Sequence, residues 1–463
     1  MLPSFGKGGN KYMSNFETYD VIVCGAGIAG SMAAVAAGRM GANVLVVEEE
    51  GYPGGSMTAM GTGPMMTFHA GEKQTVRGIT DELIERLKKK NLSPGHIIDS
   101  TGYTYTVTPF SAEGLKRELE LMMLEAGVQL LYHTVITGVN VKDGMVESLK
   151  CFSCGETFET AGKVYIDATG DGDVLHIAGA PYKQGRDSDG KDQPMTMNYK
   201  IGGLDTAKIR QLMEEIPENF PFLYPKAGIQ KLAPRLSFSG FQDIMKKAIA
   251  DGEITFDRDI VLCFETDREG ETIVNMTRIL NENPVDPISL SRAETEGRRQ
   301  VWELFDFMKR RIPGFENTHL ISTGPRVGVR SSRRMVGCYT LEAEDILKER
   351  KFEDGIAAYG YPIDIHSADG TETDSRFLRD GGYYTVPYRC LINERIPNLM
   401  AAGRNISASF EAQASTRTSP CCGALGHAAG TAAALAAKNG VLPTQVDARE
   451  LRKLLESQGA VID

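Results

Sequence analysis

Nowhere does this 463-residue chain hold a run of about 18 apolar residues, the length a membrane-crossing helix needs. A membrane span is therefore not expected. Met1 to Thr18 lacks the apolar stretch of a secretory signal; polar and holding Gly and Ser, residues 1–18 read as a flexible leader. An excess of basic charge is also missing, since 51 Lys and Arg face 61 Asp and Glu for a net −10. Nucleic acid needs a basic face for its phosphates and is not expected as the partner, although a local basic pocket is compatible with this balance. The eight cysteines, at 24, 151, 154, 263, 338, 390, 421 and 422, are too scattered for a disulfide framework, which favours a reducing cytoplasm. Cys151 and Cys154 have the spacing of half a metal site, but no second such pair completes it, so no metal is expected and the two read as a bland hairpin pair. Internal repeats and low-complexity tracts are absent as well.

What is present begins at Val21. Val21 to Cys24 reads as a buried strand, Gly25-Ala26-Gly27-Ile28-Ala29-Gly30 as a glycine turn, the Ala-rich stretch to Gly41 as a helix, and Val44 to Val47 as a second strand ending in Glu48. That order is the dinucleotide-binding βαβ unit. Gly25 permits the tight turn, Gly27 lets backbone approach a pyrophosphate, and Gly30 lets helix and strand pack closely. The helix amino end offers free N–H groups and partial positive charge to phosphates, and Glu48 stands where a carboxylate accepts from a ribose diol. No second unit of this kind follows, so the chain binds one dinucleotide rather than a flavin and a nicotinamide together.

The length suits about two domains. A loop dense in Gly and Met follows Glu48 (Gly51, Gly54, Gly55, Ser56, Met57, Met60, Gly61, Gly63, Met65, Met66) and is either a backbone surface for a flat ligand or an ordinary crossover. Helical periodicity covers residues 80–90 and 111–126, with Ser111 as a start and Gly127 as a stop. Residues 128–141 read as β structure, then a hairpin through Gly144 and Gly155, then a strand from Val164 to Asp167. From about Pro181 to Tyr384 the texture changes to more charge, more proline and short mixed elements. The fold expected is α/β, with a discontinuous Rossmann-like domain over residues 19–180 and 385–463 and an inserted α+β substrate domain over residues 181–384. Near the end, Asn398 to Ala402 reads as a buried strand leading into Gly403-Arg404. Ser419 serves as a helix cap with Pro420 at the first helical position, and Gly423, Gly426 and Gly430 leave one helix side bare for another backbone.

Together these pieces resemble the glutathione-reductase-type FAD-binding fold, and more closely the FAD-dependent oxidoreductases related to fumarate reductase flavoproteins. The resemblance covers most of residues 19–440. It is carried by Asp167-Ala168-Thr169-Gly170-Asp171-Gly172-Asp173, Gly328-Val329-Arg330-Ser331-Ser332-Arg333-Arg334, Tyr361-Pro362-Ile363-Asp364-Ile365-His366, Val386-Pro387-Tyr388-Arg389-Cys390, and Ala402-Gly403-Arg404 with Glu411-Ala412-Gln413-Ala414-Ser415. Ser331 departs from the glutamate usual in that family. The resemblance implies FAD as cofactor: Gly25, Gly27, Ile28, Ala29 and Gly30 at the pyrophosphate, Glu48 at the adenosine ribose, Gly55 and Ser56 in the following loop, and Val135 at the adenine. It further implies Thr169 and Gly170 near the diphosphate, Gly403 and Arg404 along the ribityl-diphosphate, and Gly423 and Ala424 at the pyrimidine edge of the flavin.

The chemistry implied is hydride transfer between a substrate carbon and flavin N5. A helix aimed at the flavin N1 region stabilises negative charge by about 0.3–1 kcal/mol, or about 2 when partly buried, which is roughly one pKa unit. Arg330, Arg333, Arg334 and Arg389 are either a carboxylate grip or salt-bridge partners of the chain's excess acids. His366 and Tyr388 are the candidate acid/base groups, with Arg333 and Arg389 beside them and His69 as runner-up; a structural histidine ending a strand is the plain alternative for His366. Cys421 and Cys422 either pack beside the flavin or act as thiols activated by the helix end. The expected activity is oxidation of a CH–OH or CH–CH unit in a small polar substrate, anionic or not, with an unidentified electron acceptor or donor and an open oligomeric state. Two alternatives stand beside it: an ene-reductase of the fumarate reductase kind, and a flavin-carrying electron-transfer subunit.

Overall fold

The computed structural model describes residues 18–223, 228–370 and 373–463. Residues 1–17 of the expected leader lie outside the described residues.

Five short strands make the central sheet, in the spatial order Leu399–Ala401, Gly162–Asp167, Tyr19–Cys24, Val44–Val47, Gln129–Leu131. Every pairing is parallel. Val21, Ile22, Val23 and Cys24 have no exposed surface and Val44 to Val47 are all buried, as expected of strands covered on both faces. The first helix, Ile28–Arg39, has ten buried residues out of twelve. It packs on the last long helix, Ser419–Asn439. Cβ atoms added at Gly426 and Gly430 would strike the backbone of Ala29 and Ala33, so the glycine side of the last helix is where the first helix backbone fits. Beyond the sheet, Val135–Lys142, Met145–Ser153 and Glu156–Thr160 form a three-stranded antiparallel sheet, the hairpins expected there.

A second sheet is antiparallel throughout, in the order Ser237–Gly240, Val261–Glu265, Thr272–Val274, Tyr199–Gly202, His319–Thr323. The 25-residue helix Pro287–Arg311, capped by Asp286, contributes Ala293, Val301, Leu304, Phe305, Phe307 and Met308 to the second core. That core runs from Met195 to Val329. Met335, Leu341, Ile356, Tyr359, Tyr384 and Ile392 belong instead to the core of the parallel sheet. The boundary expected at residue 384 therefore lies well past the end of the second core. Charge and proline content describe the surface of residues 335–384, whereas their buried side chains decide which core they join.

Among the described residues no helix is long and apolar enough to cross a membrane, no group of side chains has the makings of a metal site, and all eight cysteines are free.

Candidate active site

A cavity of about 910 Å³ lies between the two cores, within the size range of small-molecule and cofactor sites. Its wall at the parallel sheet begins with the glycine turn. Gly25 has φ +97°, and a Cβ there would come within 2.7 Å of the Ala168 carbonyl oxygen; only glycine fits. Gly27 instead faces open space, with the nearest atom to an added Cβ, the Gly55 Cα, 3.9 Å away. The first helix starts at Gly27 without a side-chain cap, so its leading N–H groups are left for a ligand on the cavity side. Ile28, Ala29, Gly55 and Ser56 line the same wall.

Glu48 follows the second strand, is 8 % exposed and lines the cavity. Its carboxylate accepts from the Ala26 N–H at 2.5 Å and the Glu50 N–H at 2.8 Å. Burial raises its pKa against those two donors, helped by Glu49 and Glu50. Val135, at the start of its strand, is 45 % exposed and lines the cavity beside Thr134 and Ile136. Thr169 and Gly170 line it as well, their turn held by Asp167, which accepts from the Thr169 N–H at 3.0 Å and the Leu175 N–H at 2.8 Å.

Gly403 and Arg404 line the cavity, but the Arg404 guanidinium spends its donors on the protein: Nε to Gly170 O at 3.0 Å, Nη1 to Val329 O at 2.6 Å, and Nη2 to Asp171. It is a strut joining three segments. The last helix presents its amino end to the same cavity through Thr418, Ser419 and Cys422. Its cap is Thr418, one residue before the expected Ser419, and it makes no side-chain cap bond. The Thr418 hydroxyl donates backwards to Ser415 O at 3.1 Å and pairs with the Tyr359 hydroxyl. Two uncapped helix ends thus open on one cavity.

Three expected cofactor positions stand outside the cavity lining. Gly30 is enclosed, since a Cβ there would strike the Gly25 carbonyl; it serves helix–strand packing. Gly423 faces the Thr80 side chain, and neither it nor Ala424 lines the cavity, because the helix has turned them towards its neighbours. The two cysteines that precede them are buried and both thiol pKa values are raised by burial, Cys422 to about 12. Neither is an activated thiol.

At the other end, Asp364 and His366 stand two apart on the strand Ile363–His366 and so share a face. His366 Nε2 lies 3.5 Å from Asp364 Oδ2. Tyr103 donates to Asp364 Oδ1 at 3.1 Å, and Arg417 Nη2 reaches Asp364 O at 3.2 Å and Oδ2 at 3.5 Å. Burial works to raise the Asp364 pKa, but His366, Arg417 and Tyr103 together hold it well below the usual carboxylate range. Burial, then the charge of Arg330, pushes His366 down to about 3, so its imidazole is neutral at ordinary pH. Arg330 also lines this end and donates to Pro194 O at 2.6 Å and Thr196 Oγ1 at 2.5 Å. Burial, Arg417 and Arg258 lower its pKa to about 9. In place of the family's glutamate, Ser331 donates to Asp192 Oδ1 and accepts from the Gln193 N–H, both at 2.8 Å.

The remaining catalytic candidates are elsewhere. Arg333 Nη1 donates to Asp173 Oδ1 at 2.8 Å and Asp171 O at 3.2 Å, bracing that turn from behind. Tyr388 is buried with its hydroxyl on Pro443 O at 2.9 Å. Arg389 forms a surface fork with Asp354 at 2.9 and 3.1 Å, and Arg334 donates to Ala408 O and Gly185 O. His69 Nδ1 faces Thr106 Oγ1 at 3.0 Å, off the cavity. Arg258, Arg417, Asn275 and Tyr103 line the site without having been singled out from sequence. Asp364 had a legible signal, the alternation Asp-x-His within a strand.

The family described as FAD dependent oxidoreductase matches residues 20–455. Digeranylgeranylglycerophospholipid reductase 1 of Methanococcoides burtonii is 27% identical over 164 residues, covering 33% of this chain and 38% of that protein. The chain thus matches under two-fifths of that relative's length. Among solved structures, a geranylgeranyl bacteriochlorophyll reductase-like protein from Thermoplasma acidophilum shares 13% identity at a TM-score of 0.47, over 96% of this chain and 84% of that one. L-proline dehydrogenase from P. horikoshii shares 11% identity at a TM-score of 0.45, over 96% and 99%.

Proposed function

The chain belongs to the FAD dependent oxidoreductase family, and from that premise we propose that it moves a hydride between FAD and a small polar substrate held beside Asp364 and His366. The fold then serves as a glutathione-reductase-type FAD domain with a substrate-binding insertion. The single observation that carries this reading is one cavity lined by the glycine turn, Glu48, two uncapped helix ends and the Asp364–His366 pair. These residues fit the cofactor: the free N–H groups after Gly27 suit the diphosphate, the buried Glu48 carboxylate the ribose, and the uncapped end at Thr418 an electron-rich ring edge.

When bound, FAD supplies a two-electron acceptor at N5. The rest falls to this chain. Asp364 stays ionised, orients the imidazole and stabilises it once protonated. Neutral His366 offers a ring nitrogen to the proton of a substrate hydroxyl as the adjacent carbon gives up its hydride. Tyr361, Phe222 and Met66 give the cavity apolar lining. The free cysteines support work in a reducing cytoplasm, with an electron acceptor still to be identified.

A second reading, alkene reduction, is favoured by Arg330, a guanidinium that lines the cavity at the same end as His366 and could serve as a proton donor there. Rapid mixing separates the two. Saturated alcohols or acids should bleach the oxidised protein if dehydrogenation is the reaction, and unsaturated acids should recolour the reduced protein if it is not. Purified protein should hold flavin, and Glu48→Gln should weaken FAD at least tenfold by absorbance titration. A chain that stays colourless in excess FAD would end the proposal.

A further inference from the structure

We propose that the substrate end of the cavity is a receptor for a carboxylate monoanion, gripped by the guanidinium groups of Arg258 and Arg417. Calling that anion the substrate rests on the hydride-transfer reading; its binding does not.

Arg258 is only 8 % exposed, yet its Nε has no hydrogen-bond partner among the described residues, and Nη2 reaches only Asn275 O at a long 3.4 Å. Arg417 is similar. Among the described residues its buried Nε has no partner, and its Nη2 meets only Asp364, at O 3.2 Å and Oδ2 3.5 Å away. Both line the cavity. Arg330, by contrast, is engaged by Pro194 O and Thr196 Oγ1 and supplies charge more than free donors. A guanidinium carries five donors in a planar fork that matches a carboxylate. A buried donor left unmade carries a desolvation penalty, and Arg330, its pKa lowered first by burial, is lowered further by the charges of Arg417 and Arg258. An anion entering the cavity relieves both penalties at once.

The charge count sets the class. At the substrate end three lining guanidiniums, Arg258, Arg330 and Arg417, face two lining carboxylates, Asp364 and Asp259, which leaves one positive charge; the lining Arg326 and Arg404 are paired with Glu49 and Asp171. His366, Tyr103 and Tyr361 are neutral at ordinary pH. Behind the wall Arg278 adds a charge that Asp257 offsets. One net charge suits a monocarboxylate better than a phosphate dianion.

The FAD-loaded protein should be titrated with acetate, glycolate and benzoate, with the matching amides, and with inorganic phosphate, at fixed ionic strength. Binding is read by the flavin difference spectrum and by the thermal midpoint. At least one carboxylate should saturate, with its amide more than tenfold weaker. Arg258→Gln and Arg417→Gln should each weaken it at least tenfold. Arg417→Lys, which keeps the charge and loses the fork, should fall between, and the surface variant Arg389→Gln should match the parent. The proposal is overturned if no carboxylate saturates, if amides bind as well, if phosphate binds more tightly, or if Arg417→Lys and Arg417→Gln both keep parental affinity. Should the protein hold no FAD, the hydride-transfer reading fails, while the thermal midpoint of the flavin-free chain still reads the anion.

Discussion

At the scale of single residues, protonation gives a clean test that leaves the site alone. His427 is 1 % exposed, and its ring Nε2 meets Gln458 Oε1 at 2.7 Å. Burial pushes its pKa down to about 4. Between the ordinary value near 6.5 and about 4, the unfolded chain therefore binds more protons than the folded one, so stability falls as pH drops through that window. The slope is up to about 1.4 kcal/mol per pH unit. Asp167, raised to about 6 by burial, works in the opposite sense and cancels when parent and variant are compared. From pH 7 to pH 5, His427→Gln should lose about 2 kcal/mol less than the parent in urea unfolding; parallel losses would refute the assignment. Glu48 and the turn glycines were legible in sequence because their neighbours along the chain define them. Arg258 and Arg417 were not, since one precedes a strand of the second sheet and the other turns the corner into the last helix, and only folding brings them to one wall.

Elements tell a similar story at longer range. The helices Ile28–Arg39 and Ser419–Asn439 meet along small residues, and Gly430 stands directly against the Ala33 carbonyl. Helix propensity alone would make Gly430→Ala stabilising by about 1 kcal/mol. The added methyl meets backbone that cannot withdraw without opening the seam, and overpacking of this kind costs about 1–3 kcal/mol. Net destabilisation is expected, with weaker FAD retention because both helix ends move; a variant as stable as the parent in urea would show that the seam has slack. The glycine spacing announced this contact in the sequence. It did not announce the cap at Thr418, because Ser, Thr and Pro at 418–420 suit a helix start at either residue, and the Tyr359 hydroxyl, from a distant strand, settles the hydrogen bonding.

On the scale of the whole molecule, the cavity takes its lining from segments of both sheets: Gly25, Gly27, Ile28 and Ala29 follow the first strand of the parallel sheet, and Leu262 and Phe264 stand on the strand Val261–Glu265 of the second, with Arg258 just before it. A ligand at 100 times its Kd adds about 2.7 kcal/mol to the state that binds it. FAD should therefore slow amide exchange in residues 25–31 and the carboxylate in residues 256–275, with both together protecting more than either alone. Protection by the carboxylate confined to the first core would place it elsewhere. The shift of texture near Pro181 did not reveal where the buried side chains divide, because Met335, Leu341, Ile356, Tyr359 and Tyr384 lie in the more charged stretch yet join the core of the parallel sheet.

The strand Leu399–Ala401 completes one edge of that sheet, and the helix Ser419–Asn439 brings its amino end to the cavity. Both leave the ribosome after nearly everything they pack against. A nascent chain therefore carries the glycine turn for most of its synthesis without the second wall, and Gly162–Asp167 waits as an open edge. Cofactor capture on this plan waits for the last long helix, and flavin fluorescence should be absent from stalled chains that end before Leu399.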